Sequence, residues 1–346
     1  MRTTRSGSAF IIIGENIHAT RTLLRSGRHV TSAPDGREAI RFETPAGERF
    51  LAIPDTVREG QDFAAGKVKH VQAALLTLLA GGEPDASDAR AYLETLARRQ
   101  IEAGADYLDI NVDEVAPDVA TQAAAMRLLV RIVEALGPVP PSLDSSNATV
   151  IEAGLAASTR PARLLLNSAS VERLDVLDLA ASGGCAVVVS AAGAGGLPSD
   201  ADERVANAER IVAQAEARGL PSDHLHVDPL VIPVAVNPEA GSQFLDAVTR
   251  LRLALGSGIH ITGGLSNVSF GLPGRRLLND VFIDLATAAG ADSGIIDPVG
   301  SDLARIVARE RSTRAYTLAS DLLTGADPYG MEYLMAFRAG ELAGET

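Results

Sequence analysis

A (β/α)8 TIM barrel, α/β in class, is the fold this sequence predicts. Three observations predict it: short β-rich runs recur along the chain, stretches with apolar residues at three- and four-residue spacing separate them, and the runs number eight. The first run, residues 9–17, carries Phe10-Ile-Ile-Ile13. The second and third, 107–112 and 139–144, flank the long helical pattern at 119–136. Residues 163–167 follow a helical stretch at 149–157, and residues 185–190 carry three consecutive valines. The sixth run, 224–228, follows the helical pattern at 202–218. The seventh, 260–265, follows the one at 244–255, and the eighth, 293–297, follows the one at 277–289. Strands alternating with helices favour a parallel sheet, and eight of them favour closure. An open doubly wound sheet is the structural alternative. The first run ends in Gly14-Glu-Asn-Ile-His, which is not the Gly-x-Gly-x-x-Gly turn of a dinucleotide fold.

Two regions depart from the repeat. Residues 27–62 hold alternating runs broken by Pro34-Asp-Gly and Pro45-Ala-Gly, which predicts a β-rich antiparallel insertion in the first βα connection. Helices are expected after it at 67–79 and 89–102. In a barrel that connection lies on the catalytic face, so the insertion would either cover the site or stand as a surface hairpin. Residues 302–346 read as the last barrel helix plus a helical C-terminal extension for a cap or subunit contact. The expected organisation is a single domain over residues 1–346.

Composition narrows function. The chain has 346 residues, 46% of them hydrophobic and 22% charged, enough to bury a large core. With 31 basic against 44 acidic residues the formal charge is −13, and only 4% of residues are aromatic. Neither a phosphate-binding surface nor a base-stacking platform suits that balance, so nucleic acid is not an expected partner. No apolar run reaches the length of a membrane span. The basic start is followed by too short an apolar stretch for a signal peptide, and a soluble cytoplasmic protein is expected. The single cysteine, Cys185, rules out an internal disulfide and a cysteine-ligated zinc or iron–sulfur centre.

Chemistry gathers at the ends of the predicted strands, where a barrel builds its site. In order stand Glu15-Asn16, Asp109 and Asn111, Asp144-Ser-Ser-Asn147, Asn167-Ser168, Asp228-Pro229, Asn267 and Asp297-Pro298. Helix N-capping accounts for some of them, Ser145 and Ser168 readily. It does not account for Asp109 and Asn111, which alternate with Leu108, Ile110 and Val112 on one strand. Carboxylates accept from amino and ring N–H groups, and amides both donate and accept. The set therefore suits a flat heterocycle with a donor–acceptor edge, such as a pterin facing Asp144 and Asp228 with Asn167 completing the recognition. A divalent cation on the same oxygens is the competing reading. The six histidines lack the spacing of a zinc site, and no bound metal is expected.

The ordered set Ile13-Gly-Glu-Asn16, Leu108-Asp-Ile-Asn-Val112, Leu143-Asp-Ser-Ser-Asn147, Leu166-Asn-Ser168, Val227-Asp-Pro-Leu230 and Gly264-Leu-Ser-Asn-Val-Ser-Phe-Gly-Leu-Pro273 resembles the pterin-binding methyltransferases. These are the methyltetrahydrofolate:corrinoid-protein methyltransferases and the folate module of cobalamin-dependent methionine synthase, relatives of dihydropteroate synthase. The resemblance runs from residue 9 to 289, interrupted by the insertion. It implies that Asp144, Asn167 and Asp228 hydrogen-bond the pterin's amino-pyrimidinone edge, and that Asn267 approaches N5 of the folate. Asp109 and Asn111 match the Asp-x-Asn that closes the second strand, and Arg275 falls where the family has an arginine near the folate. Catalysis would rest on Asn267 at N5 and on Asp228 holding the ring. Several relatives read Gly-Glu-Arg where this chain has Gly14-Glu15-Asn16.

The activity so implied is transfer of a methyl group between N5 of tetrahydrofolate and the cobalt of a corrinoid, with tetrahydrofolate or 5-methyltetrahydrofolate as substrate. The chain lacks the Asp-x-His-x-x-Gly signature of a cobalamin module, so the cobalamin would arrive on a separate corrinoid-binding protein and not be held stably here. A homodimer is expected by the same resemblance. Two rivals stand beside this reading. Dihydropteroate synthase shares the pocket, but its Ser-Arg-Lys triplet and late Arg-x-His have no counterpart here. A non-catalytic folate- or pterin-binding protein would not need Asn267.

Overall fold

In the computed structural model, which describes residues 3–344, the eight runs form one sheet. Its strands are β1 (Ile11–His18), β2 (Tyr107–Asn111), β3 (Pro141–Asp144), β4 (Leu165–Ala169), β5 (Ala186–Ser190), β6 (Leu225–Asp228), β7 (His260–Ile261) and β8 (Ser293–Ile296). Their order is β7-β6-β5-β4-β3-β2-β1-β8, and the pairings are parallel. The Ile295 N–H donates to the Gly263 carbonyl at 2.9 Å, and a parallel bridge joins Gly264 to Ile295, tying β8 to the chain beyond β7 as well. This is the (β/α)8 barrel. Residues 1–2 of the basic start and 345–346 of the tail lie outside the described residues. No helix among the described residues is long and apolar enough to cross a membrane.

The chain forms two compact units: Gly14–Asn167, and the remaining described residues up to Ile13 and from Ser168 on. In the first, strand interiors such as Leu108, Ile110 and Leu143 are fully buried, as parallel strands packed on both faces require. The helix Val119–Leu136 begins at Asp118, whose side chain accepts the Thr121 N–H, and it packs on the helix Ala148–Ala157. Within residues 27–62 lies an antiparallel sheet of Val30–Ser32, Glu38–Thr44 and Gly47–Ala52. Ile40, Phe42 and Leu51 are its buried face, with the Phe42 ring edge-on to Tyr92 at 5.1 Å, on the helix Asp85–Glu102. Arg37 and Arg49 pair with Asp85 and Asp88 of the same helix.

One segment here differs from expectation. Residues 67–69, read from sequence as the start of a helix, form a strand antiparallel to Thr22–Leu24, and the helix begins only at His70. Val68 is fully buried, while Lys69 reaches Asp62 and Glu114 at 2.8 Å each. Alternation of that kind is a strand's, and three residues are too few to reveal it against the helix that follows.

In the second unit the helices Ala240–Leu255, Arg275–Ala289 and Arg314–Thr324 pack together, with the Phe244 and Phe282 rings 5.5 Å apart. The helix Asp175–Gly183 fills the connection between β4 and β5. The ladder of β7 stops at Ile261, short of the expected residue 265. The chain turns at Gly263-Gly264 into a 3-10 helix, Leu265–Ser269. A Cβ on Gly263 would sit 3.1 Å from the Phe244 ring, so a larger residue there would have to push that ring aside. Residues 302–344 contribute the helices Leu303–Ala308, Arg314–Thr324 and Met331–Arg338.

The tail is tied down by a buried carboxylate. Asp284 accepts from Arg5 Nε, Arg311 Nε and the Tyr316 hydroxyl, each at 2.8 Å. Burial opposes its charge, yet the bonds from Arg311, Arg5 and Tyr316 hold its pKa below the usual carboxylate value. Asp284→Asn is expected to cost about 2 kcal/mol at neutral pH, because charge-assisted bonds become neutral ones and donors are left facing an amide. The contribution of a carboxylate with a depressed pKa is complete above its unfolded value and is lost as pH falls through the folded one. Thermal melts should therefore separate wild type and variant at pH 7 and converge on acidification; equal melts at pH 7 would remove Asp284 from this role.

Candidate active site

Strand register assembles the first cluster within the unit Gly14–Asn167. Asn111 pairs with Asp144, and Asp144 with Asn167, so three polar side chains stand in a row at matching positions of β2, β3 and β4. One step back, Asp109 pairs with Ser142. Asp109 is fully buried; one oxygen accepts the Ser142 hydroxyl at 2.6 Å and the Asn167 amide at 3.3 Å. Its other oxygen faces His18 Nε2 at 2.8 Å. Asp144 accepts from the Asn111 amide at 2.9 Å, and its nearer oxygen lies 3.9 Å from the same His18 nitrogen.

The electrostatics of this cluster follow from burial and from two carboxylates in close company. Burial raises the Asp144 carboxyl to about 7, the Asp109 charge adds to this, and His18 and Asn111 oppose it. Burial also disfavours a charged His18, but the hydrogen bond to Asp109 and the charges of Asp109, Asp144 and Glu15 win, lifting it to about 8. The donor atoms of His18, Asp109 and Asp144 lie within 4.8 Å of one another, a spacing that a proton or a cation can bridge. The His18–Asp109 separation is that of a charge-assisted hydrogen bond.

Asp113, just past β2, accepts from the Ser145 hydroxyl and the Ser146 N–H, fixing the loop after β3. Capping explains Asn147, whose side chain accepts the Thr149 N–H at the start of its helix. It does not explain Ser168, which lies inside β4.

The second cluster lies in the other unit. Asp228 ends β6 and is buried; its Oδ1 accepts the Leu230 N–H at 2.7 Å across a turn in which Leu230 has φ +69°. Left-handed backbone is costly for leucine, so something must hold the turn. Arg204, fully buried on the helix Ala201–Glu216, does so by donating Nη1 to the carbonyls of Pro229 and Leu230. Burial pushes the Asp228 carboxyl up to about 6, against the Leu230 N–H and the Arg204 charge.

Asn267 is exposed on the 3-10 turn Leu265–Ser269. Its amide lies across Gly264, where a Cβ would come within 2.7 Å of Nδ2. Arg275 donates Nε to the Ser269 hydroxyl at 3.1 Å and Nη2 to the Ser266 carbonyl at 2.9 Å. It thus braces the turn that carries Asn267. The Val234 N–H donates to the Val268 carbonyl at 3.1 Å, so the loop after Asp228 is fastened to the same turn.

Of the residues singled out in the sequence, the fold brings Asp109, Asn111, Asp144 and Asn167 together in one unit. It places Asp228, Asn267 and Arg275 in the other. His18, Ser142 and Arg204 were missed. For His18 a signal existed, since it shares strand parity with Gly14 and Asn16. Arg204 gave none, because a helical arginine reads as solvated surface. Two further histidines are held elsewhere, His226 by Ser293 at 3.2 Å and His260 by Asp292 at 2.9 Å.

Comparison with known proteins gives this geometry relatives. A family model described as "Pterin binding enzyme" matches residues 85–297. The chain is 30% identical over 258 residues to a methylcorrinoid:tetrahydrofolate methyltransferase of Eubacterium limosum, spanning 73% of this chain and 89% of that protein. It is 27% identical over 285 residues to methionine synthase of Mycobacterium leprae (strain TN), spanning 77% of this chain but 22% of that protein. Among solved structures, Yersinia pestis DHPS with a pterine-sulfa conjugate matches with a TM-score of 0.50 at 18% identity, covering 62% of this chain and 86% of that one. That last likeness is one of fold.

Proposed function

We propose, from the premise that this chain belongs to the pterin binding enzyme family, that it moves a methyl group between N5 of tetrahydrofolate and the cobalt of a corrinoid carried by a separate protein. The observation that carries this reading is the likeness to the Eubacterium limosum enzyme, whose name couples a methylcorrinoid to tetrahydrofolate over 89% of its length. The chemistry of the side chains suits it. An amino-pyrimidinone edge presents adjacent N–H donors, which a carboxylate such as Asp144 or Asp228 can accept, and an acceptor that an amide such as that of Asn167 can meet. Asp109 and Asn111 hold that row in place, contributing position more than chemistry.

Methyl transfer from N5 breaks a carbon–nitrogen bond whose electron pair stays on nitrogen, and the nitrogen must gain a proton or a hydrogen bond to leave well. Asn267 is no acid, but its amide turns between donor and acceptor and stabilises N5 as its charge changes. Arg275 serves this step indirectly, by bracing the Asn267 turn through Ser266 and Ser269.

Purified chain given 5-methyltetrahydrofolate and chemically reduced cobalamin should produce the absorbance of methylcobalamin, and methylcobalamin with tetrahydrofolate should run the reverse. Tight folate binding with no methyl transfer in either direction would instead make this a sequestering protein. Condensation of a pterin pyrophosphate with p-aminobenzoate would make it a dihydropteroate synthase.

A further inference from the structure

The cluster on β1, β2 and β3 contains a group that the reading above leaves without a task. His18 Nε2 stands 2.8 Å from Asp109 and 3.9 Å from Asp144, so one imidazole faces two carboxylates. Those carboxylates differ in their other partners. Asp109 is fully buried and already accepts from Ser142 and Asn167 on its far oxygen, which leaves it no room for a ligand. Asp144 has one side-chain donor, Asn111, and about a quarter of its side chain is open. Asp144 is therefore the carboxylate that can meet a ligand, and Asp109 is the one that holds the histidine.

We propose that His18 is a positioning residue: anchored on Asp109, it supplies the positive charge that keeps Asp144 a carboxylate for the pterin edge. This rests on the pterin-binding reading above. Two ionised carboxylates so close in a buried site repel each other, and one would take up a proton unless a cation stood between them. A protonated Asp144 would offer one acceptor fewer to the two N–H donors of an amino-pyrimidinone. The other charged groups facing the cluster within this unit do not supply that cation. Asp113 and Glu15 add negative charge. Arg21 reaches back to Glu15, at 3.2 Å to its carbonyl and 3.6 Å to its carboxylate.

The sign of the pH dependence follows. Pterin affinity should rise as pH rises through the Asp144 ionisation at about 7 and level off above it. Removing the His18 charge leaves Asp144 harder to ionise, so the rise should move to higher pH. His18→Gln keeps a donor toward Asp109 and removes the charge. Titration of 5-methyltetrahydrofolate across pH 5.5–9 should show the midpoint of the His18→Gln variant about one unit above that of wild type, with matching affinity once both are ionised. A lower affinity at every pH with an unmoved midpoint would mean a merely structural role and would overturn the proposal.

A measurement without folate separates this from the functional reading. In the wild-type chain, NMR should show the His18 imidazole titrating near 8 and the Asp144 carboxyl carbon responding to His18→Gln. A His18 that titrates below its ordinary value, or an Asp144 indifferent to the substitution, overturns the inference whatever the protein binds. Wild type that fails to bind folate while showing this coupling would instead overturn the pterin reading and the ligand assigned to Asp144.

Discussion

Asn267→Ala is expected to lower the turnover of methyl transfer about 10²-fold while leaving folate affinity within a few-fold of wild type, the cost of losing one preorganised donor at a reacting atom. The two parameters separate because Asn267 belongs to a different structural device from the residues assigned to the pterin edge. It rides on the exposed 3-10 turn Leu265–Ser269, braced by Arg275, whereas Asp144 and Asn167 stand in a strand-register row. Its amide stands beside Gly264, where a Cβ would come within 2.7 Å of Nδ2, so the glycine leaves the amide room to turn. Single-turnover transfer monitored by stopped-flow absorbance reads the step directly. A variant that transfers methyl at the wild-type rate would remove Asn267 from the chemistry. One that loses folate binding and rate together would make it a binding residue.

The largest effect on stability is expected from Gly241→Ala. Gly241 lies in the first turn of the helix Ala240–Leu255, and a Cβ there would fall 2.0 Å from the backbone carbonyl oxygen of Leu323, near the end of the helix Arg314–Thr324. No rotamer change relieves a clash with backbone, so the two helices must separate and give up buried contact around Val234 and Leu323. Overpacking of this kind costs roughly 3 kcal/mol, which for a chain of this length should appear as a drop in Tm of about 4 °C. Gly258→Ala is the control, since the nearest atom to its Cβ would be Ser222 Cβ at 4.0 Å. Equal melting of the two variants would show that the helix pair adjusts at no cost.

Much of the barrel could be read in the sequence because parallel strands are short, apolar and separated by longer periodic stretches. Residues 119–136 stand as the helix that their spacing predicts. The turns Pro34-Asp-Gly and Pro45-Ala-Gly announced the antiparallel sheet at Val30–Ser32, Glu38–Thr44 and Gly47–Ala52. What escaped depends on partners remote in sequence. Lys67–Lys69 is a strand only because Thr22–Leu24 lies beside it. Apolar residues persist after Ile261, but the ladder ends where two glycines let the chain turn.

The candidate site divides the same way. Asp109 and Asn111 could be picked out because polar residues alternate with apolar ones on a buried strand. For His18 the strand parity shared with Gly14 and Asn16 was a signal of facing, but its role was not legible, because the carboxylate it touches lies 91 residues away. Arg204 could not be picked out, because only burial distinguishes it from the arginines that solvate other helices.

The brevity of β7 bears on how such a protein changes over generations. Only His260 and Ile261 belong to the ladder, and the turn that follows is secured by the Gly263 carbonyl and by a side chain from the next helix. A segment fastened in that manner can be exchanged without shifting strand register, so substitutions there leave the row on β2, β3 and β4 in place. Under the proposed function, ligand recognition would then rest on one device and reaction on another, so that substitution in the turn alters the latter and leaves the former.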